Sequence, residues 1–237
     1  MDTRQSNPYK ETLLKGMRKT IAEHLAKSSR ENAVIMISRH VDVTDLLEMR
    51  KNKREDYTLE KKAFPSINDL VIKSVALALK EHTSLNATFQ DERIRTYEEC
   101  HINLAVAVEN GLITPVIRNV GQLTIDEIAE KTGEAIDKVK NGMFGMDDIT
   151  GGTFTITNVG MVKVEVATAI INYPQVAILA VGAILPQLEM HNGDIIQRQK
   201  MVLSLTVDHR IIDGHPAALF LNEICDKLES PETIWEG

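Results

Sequence analysis

The sequence predicts one α/β domain, more strictly α+β, built around a mixed sheet. Three observations carry this. Strand-like runs and amphipathic helical stretches are interspersed along all 237 residues. Asn110-Gly111 and Asn192-Gly193 each lie between apolar runs, where tight hairpins need residues that tolerate positive φ. VAILAVGAI (176–184) is apolar at successive positions, as a central strand buried on both faces must be. No Pro/Gly/Ser-rich stretch marks an internal boundary, so residues 12–237 read as one domain and the polar residues 1–11 as a tail or linker remnant.

Each element has its own signal. Met17, Ile21 and Leu25 recur at helical spacing and predict a helix over 15–28. VIMISRHVDV (34–43) reads as a strand, and Thr44 as the cap of a short helix, DLLEMRKNKR. The charged stretch KNKREDYTLEKKA is expected to be an exposed loop; its mixed signs argue against a nucleic-acid patch. PSINDLVIKSVALALKEH is a strong helix, with Pro65 at its start and a stripe of Ile67, Leu70, Val71, Val75 and Ala78. HINLAVAV (101–108) alternates as a strand does and turns back through Asn110-Gly111 into LITPVI. Thr124 and Glu127 form a capping box for a helix over 125–140. TFTIT follows Gly151-Gly152 as a strand, and MVLSLTV follows the Asn192-Gly193 turn. The last helix runs over about 216–229, with Pro216 in its first turn and Ala218, Leu221, Ile224, Cys225 and Leu228 inward.

Composition excludes several classes. With 43% hydrophobic and 26% charged residues the chain is globular. A net charge of -7 argues against nucleic acid and anionic membrane as partners. No apolar run approaches the roughly 20 residues of a membrane-spanning helix, and MDTRQSNPYK has no signal-peptide core. Cys100 and Cys225 lack metal-ligand spacing and fit a reducing compartment. The expected location is therefore cytoplasmic, or the mitochondrial matrix in a eukaryote. No Walker loop, GxGxxG or HExxH is present, and no metal is expected.

The chemistry concentrates in TVDHRIIDGH (206–215). His209 follows a strand end and carries the one common side chain that titrates near neutrality. A neutral imidazole can take a proton from a hydroxyl or thiol. Asp213 could order the loop by pairing with an Arg, and Gly214 would allow positive φ or a close backbone approach. By local pattern alone, a plain turn with a surface His is the better explanation, because HxxxDG is short and occurs by chance.

The wider chain shifts that balance. GMRKTIAEHLAKS, VDVTDLLEMR, NLAVAVENGLITPVI, GGTFTITNVG, IINYPQVAILAVG and LSLTVDHRIIDGHPAALFL occur in that order. Together they closely resemble the catalytic domain of the dihydrolipoamide acyltransferases of 2-oxo acid dehydrogenase complexes, over roughly residues 12–235. Chloramphenicol acetyltransferase is a more distant look-alike. The resemblance implies a two-layer, chloramphenicol acetyltransferase-like sandwich that forms trimers. It implies acyl transfer between a lipoyl thiol and coenzyme A, with the lipoamide carried on a lipoyl domain outside this chain. His209 would be the general base and Thr157, in FTITN where relatives have FTISN, the oxyanion donor. Asp213 and Arg18 would pair to order the loop, while Asn158, Gly160 and Gly214 shape turns.

The resemblance further implies a homotrimer with His209 facing a neighbour's Thr157, assembled into a larger cage. Ile234 and Trp235 would be a C-terminal anchor docking on another trimer. Further partners would be the 2-oxo acid decarboxylase and dihydrolipoamide dehydrogenase components. The segment MVKVEVATAI (161–170) departs from the Gly- and Pro-rich residues usual there. Asp137-Lys138 and Asp226-Lys227 fall on predicted helices and are poor lipoylation sites, so either the lipoyl domain is a separate chain or, as the linker-like polar opening favours, this is a truncated catalytic domain. Two alternatives remain: a structural core protein that has lost catalysis, and a free-standing O-acetyltransferase of the chloramphenicol type. The acyl group and the coenzyme A contacts are not legible.

Overall fold

In a computed structural model, the chain is described over residues 9–109 and 111–236. The elements are α1 (Gly16–Glu31), β1 (Val34–Asp42), α2 (Thr44–Glu60), α3 (Ile67–Glu81), β2 (Ala87–Gln90), β3 (Arg93–Thr96), β4 (Ile102–Leu104), β5 (Val106–Val108), β6 (Gly111–Ile113), β7 (Val116–Ile117), α4 (Ile125–Lys140), α5 (Met146–Ile149), β8 (Phe154–Asn158), β9 (Ala177–Val181), β10 (Leu185–His191), β11 (Asp194–Asp208), α6 (Gly214–Glu229) and α7 (Glu232–Glu236). The main sheet has seven strands in the order β1-β11-β9-β8-β4-β7, with β10 paired to β11. It is mixed: β8 runs parallel to both β4 and β9, and the other pairs are antiparallel. β9 lies inside the sheet and is buried along its whole length, as its apolar run requires.

Alternation gives the sheet two unlike faces. Leu203, Leu205 and Val207 of β11, Leu179 and Val181 of β9, and Phe154 and Ile156 of β8 point into the hydrophobic core. Phe220 and Ile224 of α6 and Val71 and Val75 of α3 fill it from the helical layer, and Phe154 meets Phe220 edge-on at 5.7 Å. The opposite face is polar. Thr206 pairs across with Ile178, Ile178 with Thr155, and Thr155 with Asn103. Buried polar atoms need partners; the Thr206 hydroxyl has none among the described residues, but those around Gln175 do. Gln175 donates to the Asn103 side chain at 2.8 Å and to the Gly152 carbonyl at 2.9 Å. Thr155 donates to Gln175 at 2.5 Å and accepts from Asn172 at 3.3 Å. The segment 164–172 crosses over this face so closely that a Cβ on Gly182 would sit 1.9 Å from the Glu165 carbonyl oxygen.

Most elements lie where their signals place them, with four differences. The charged stretch expected as a loop is the second half of α2, which runs on to Glu60. Glu, Lys and Arg are good helix formers, and the stretch has something to pack on. Tyr57 meets Phe64 edge-on at 5.5 Å, and Arg50 stacks 4.2 Å over the same ring. At the start of α2 it is Asp42 that supplies the capping oxygen, accepting from Thr44 N at 2.9 Å. The α3 cap is Ser66, in a capping box with Asp69, one residue beyond Pro65. HINLAVAV is two short strands, β4 and β5; β5 leaves the main sheet to form a separate hairpin with β6. Asn110 itself lies outside the described residues, as do residues 1–8 of the expected tail.

Ile234 and Trp235 close the chain in α7. Expected as an anchor for another trimer, they pack against this chain's own core: Ile234 is fully buried and Trp235 lies partly buried against the same cluster. Lys53 of α2 sits 5.7 Å over the Trp235 ring. Truncating a buried Ile typically costs about 2–5 kcal/mol, so Ile234→Ala is expected to lower the melting temperature by roughly 4–15 °C. Calorimetry checks this; an unchanged Tm with a smaller assembly would show that the pair serves another chain.

Candidate active site

β11 brings the HxxxDG stretch to the edge of the sheet. Asp208, its last residue, donates its N–H to the Val176 carbonyl at 2.9 Å. His209 is the next residue; its N–H donates to the Ala33 carbonyl at 2.7 Å, and its side chain is 43% exposed. The Asp213 carboxylate stands 3.7 Å from His209 Nδ1 and is 86% exposed. Asp213 occupies the N-cap position of α6 without forming a side-chain cap.

Among the described residues, the ionic neighbour of Asp213 is His209, and no ion pair between Asp213 and Arg18 is seen. Arg18 lies in the first turn of α1, with its guanidinium beside Gly111 on the β5–β6 hairpin. Ile21 packs even closer, and a Cβ on Gly111 would come 2.8 Å from its Cδ1. Gly214 also departs from expectation. Its φ is not positive, and a Cβ there would meet nothing within 4 Å, so neither reason advanced for a glycine applies within the single chain.

Thr157 sits near the C-terminal end of β8, half-buried. It shares the polar sheet face with Thr155. Among the described residues no hydrogen-bond partner reaches its hydroxyl. Asn158 closes the following turn: its Oδ1 accepts from Gly160 N at 2.8 Å, and its Nδ2 donates to Asn68 at the start of α3 at 2.7 Å. Gly160 is needed there, because a Cβ would lie 2.4 Å from the Gly182 carbonyl oxygen.

The sheet register fixes the relation between Thr157 and His209. Thr157 pairs with Ala180, and Ala180 with Ser204. His209 is five residues further along from Ser204. With about 4.8 Å between strands and about 3.3 Å per residue, the two side chains are roughly 19 Å apart in one chain. His209 emerges where β8 and β9 begin; Thr157 lies where they end.

Sequence reasoning missed one pair beside His209. Asp208 is 1% exposed. Its Oδ1 accepts from Arg210 N at 3.1 Å and Arg210 Nε at 3.0 Å, and its Oδ2 accepts from Arg210 Nη2 at 2.6 Å. This charge-assisted bonding raises the Arg210 pKa. The guanidinium also stacks 4.8 Å over Phe89 of β2. The available signal was an acidic residue ending an apolar strand two positions before an Arg. The cysteines are excluded as nucleophiles: burial pushes both the Cys100 and Cys225 thiols up to about 12. Three of the other histidines have local partners: His24 Nε2 lies 3.0 Å from Asn172 Oδ1, His82 meets Phe220 edge-on, and His101 Nδ1 accepts from Asn119 N at 3.1 Å.

Comparison with known proteins agrees with this architecture. The family described as 2-oxoacid dehydrogenases acyltransferase (catalytic domain) matches residues 6–235. The dihydrolipoyllysine-residue acetyltransferase component of the acetoin cleaving system of Bacillus subtilis is 36% identical over 92% of this chain and 55% of its own length. The succinyltransferase component of the yeast 2-oxoglutarate dehydrogenase complex is 34% identical over 96% of this chain and 50% of its own. The chain thus spans about half the length of the curated relatives it matches. Among solved structures, a probable dihydrolipoamide acetyltransferase from Listeria monocytogenes is 34% identical, with a TM-score of 0.89 over 94% of this chain and 95% of that one. The Azotobacter vinelandii dihydrolipoamide acetyltransferase is 28% identical, with a TM-score of 0.91 over 99% and 97%. Chloramphenicol acetyltransferase, at 17% identity and a TM-score of 0.56 over 87% and 94%, shares the fold. By the family match across nearly its whole length, this chain belongs to the 2-oxoacid dehydrogenase acyltransferases and comprises their catalytic domain.

Proposed function

We propose that the chain transfers an acyl group between the thiol of dihydrolipoamide and coenzyme A, at a site shared between subunits of a homotrimer. The observation that carries this reading is the placement of His209 and Thr157 at opposite ends of one sheet, too far apart to act on one substrate within a chain. A supporting one comes from the Azotobacter vinelandii enzyme, for which a serine, a histidine and an asparagine are named in the catalytic mechanism. The intervals between those three equal those between Thr157, His209 and Asp213. This chain carries Thr in place of the serine and Asp in place of the asparagine.

A free thiol has a pKa near 8.5, so only a few per cent is thiolate at neutral pH. His209 takes the proton as the sulfur attacks the thioester carbon, and returns it to the departing sulfur. One base thus serves both directions of a thiol-to-thiol exchange. Asp213 stands on the Nδ1 side of the ring, so Nε2 is the nitrogen proposed to act as the base. The tetrahedral carbon bears an oxyanion, and the Thr157 hydroxyl of the neighbouring subunit donates to it. The acyl lipoamide arrives on a lipoyl domain, and the trimers assemble into the cage that also holds the decarboxylase and dihydrolipoamide dehydrogenase components. The stripe left exposed on α1, including Met17 and Leu25 at 40% and 39% exposure, offers apolar surface for a subunit contact.

Acetyl-, succinyl- and branched-chain acyl-coenzyme A, each offered with free dihydrolipoamide, test the reading. Transfer of one acyl group in preference to the others is expected. No transfer with any thioester, from folded and assembled protein, would sink it in favour of a structural core that has lost catalysis.

A further inference from the structure

We infer that Asp208 and Arg210 are the positioning pair of the general base: a clamp that sets where the His209 imidazole points. The inference rests on the acyltransferase reading above. It begins with a contrast between two carboxylates. Asp213 lies within the HxxxDG motif, yet it is 86% exposed and stands 3.7 Å from the ring. Asp208 lies outside the motif, is 1% exposed, and holds both flanks of His209.

On the upstream side the Asp208 carboxylate accepts from Ala33 N at 3.3 Å, while Ala33 in turn accepts from His209 N. On the downstream side it takes three Arg210 nitrogens, one of them main-chain. The Asp208 carbonyl accepts from Ile211 N at 3.0 Å and Ile212 N at 2.9 Å, which closes the turn. The residue between Asp208 and Arg210 is therefore fixed at both neighbouring peptides. Arg210 extends the clamp outward to the Phe89 face, and Phe89 N is tied to the Pro174 carbonyl at 2.8 Å. A charge-assisted fork of this kind is geometrically specific, and a buried carboxylate left without its partners is costly. Among the described residues no hydrogen bond or ion pair joins the ring to either residue, its ionic neighbour being Asp213, so the pair acts through the backbone. A misplacement of about 1 Å in a catalytic group can cost about 10²-fold in rate.

The test uses the assembled protein. Asp208→Asn and Arg210→Gln are assayed for kcat and for KM toward coenzyme A and the acyl donor, alone and combined with His209→Ala. We expect each single variant to lose about 10²-fold in kcat, with KM changed less than about threefold, because the clamp acts on the base and not on substrate binding. In the His209→Ala background neither should lose anything more, since groups that act through one residue are non-additive. Should the buried Asp208→Asn fail to fold, Arg210→Gln still carries the test, because that side chain is 37% exposed. A folded Arg210→Gln with unchanged kcat, or a loss that adds to that of His209→Ala, overturns the clamp. Full activity in His209→Ala alone would instead overturn the acyltransferase mechanism, which keeps the two failures apart.

Discussion

Replacing His209 with alanine lowers kcat for acyl transfer about 10²–10⁴-fold, the usual contribution of a positioned general base, and leaves folding and assembly intact. Both halves of this outcome follow from the surroundings of the residue. The ring is 43% exposed and stands in no hydrophobic cluster, so its loss opens no cavity. The hydrogen bond that ties the residue down comes from its main chain, to Ala33, and survives the substitution. What disappears is the imidazole that the motif places just past the strand end, the group proposed to accept the thiol proton. Steady-state rates, with light scattering to follow assembly, check the two halves separately. An assembled variant that keeps more than a tenth of the activity would remove His209 from the mechanism.

The second large effect is expected at Thr157. Thr157→Val keeps the branched shape at a half-buried strand position and removes only the hydroxyl. Loss of one oxyanion donor typically costs about 10²–10³-fold in kcat. The stronger form of this experiment mixes two inactive proteins. When Thr157→Val and His209→Ala chains are dissociated together and reassembled, some interfaces join an intact His209 from the first chain to an intact Thr157 from the second. Random assembly in a closed ring restores about a quarter of the sites, and that fraction of wild-type activity should return. If both residues worked within one chain, mixing would restore nothing.

The fold was legible wherever local chemistry and tertiary packing agreed. The capping box at Thr124 and Glu127 fixed the start of α4, and the apolar run 176–184 announced β9 as central. The C-terminal half of α2 was not legible. Its charged residues form helix by propensity, but what holds that helix in place is Phe64, Trp235 and Asp126, distant in sequence or beyond a loop. His209, Asp213 and Thr157 stood out through the motif and the resemblance. Asp208 did not, because a strand-ending Asp gives no sign of being buried until Ala33 and Arg210 are seen to converge on it. Arg18 misled for the opposite reason. Its spacing in GMRK said nothing of which end of α1 would face Asp213, and the helix places it at the β5–β6 hairpin instead.

The distance between base and oxyanion donor also bears on the newly made, unassembled chain. Such a chain carries an exposed imidazole at one end of its sheet and the half-buried Thr157 hydroxyl at the other, too far apart for one thioester carbon to meet both. Water could be activated at His209, but the oxyanion it would form has no donor waiting. On the proposed mechanism a monomer is therefore expected to be a poor thioesterase, so that acyl-coenzyme A would not be squandered by hydrolysis while subunits await their neighbours.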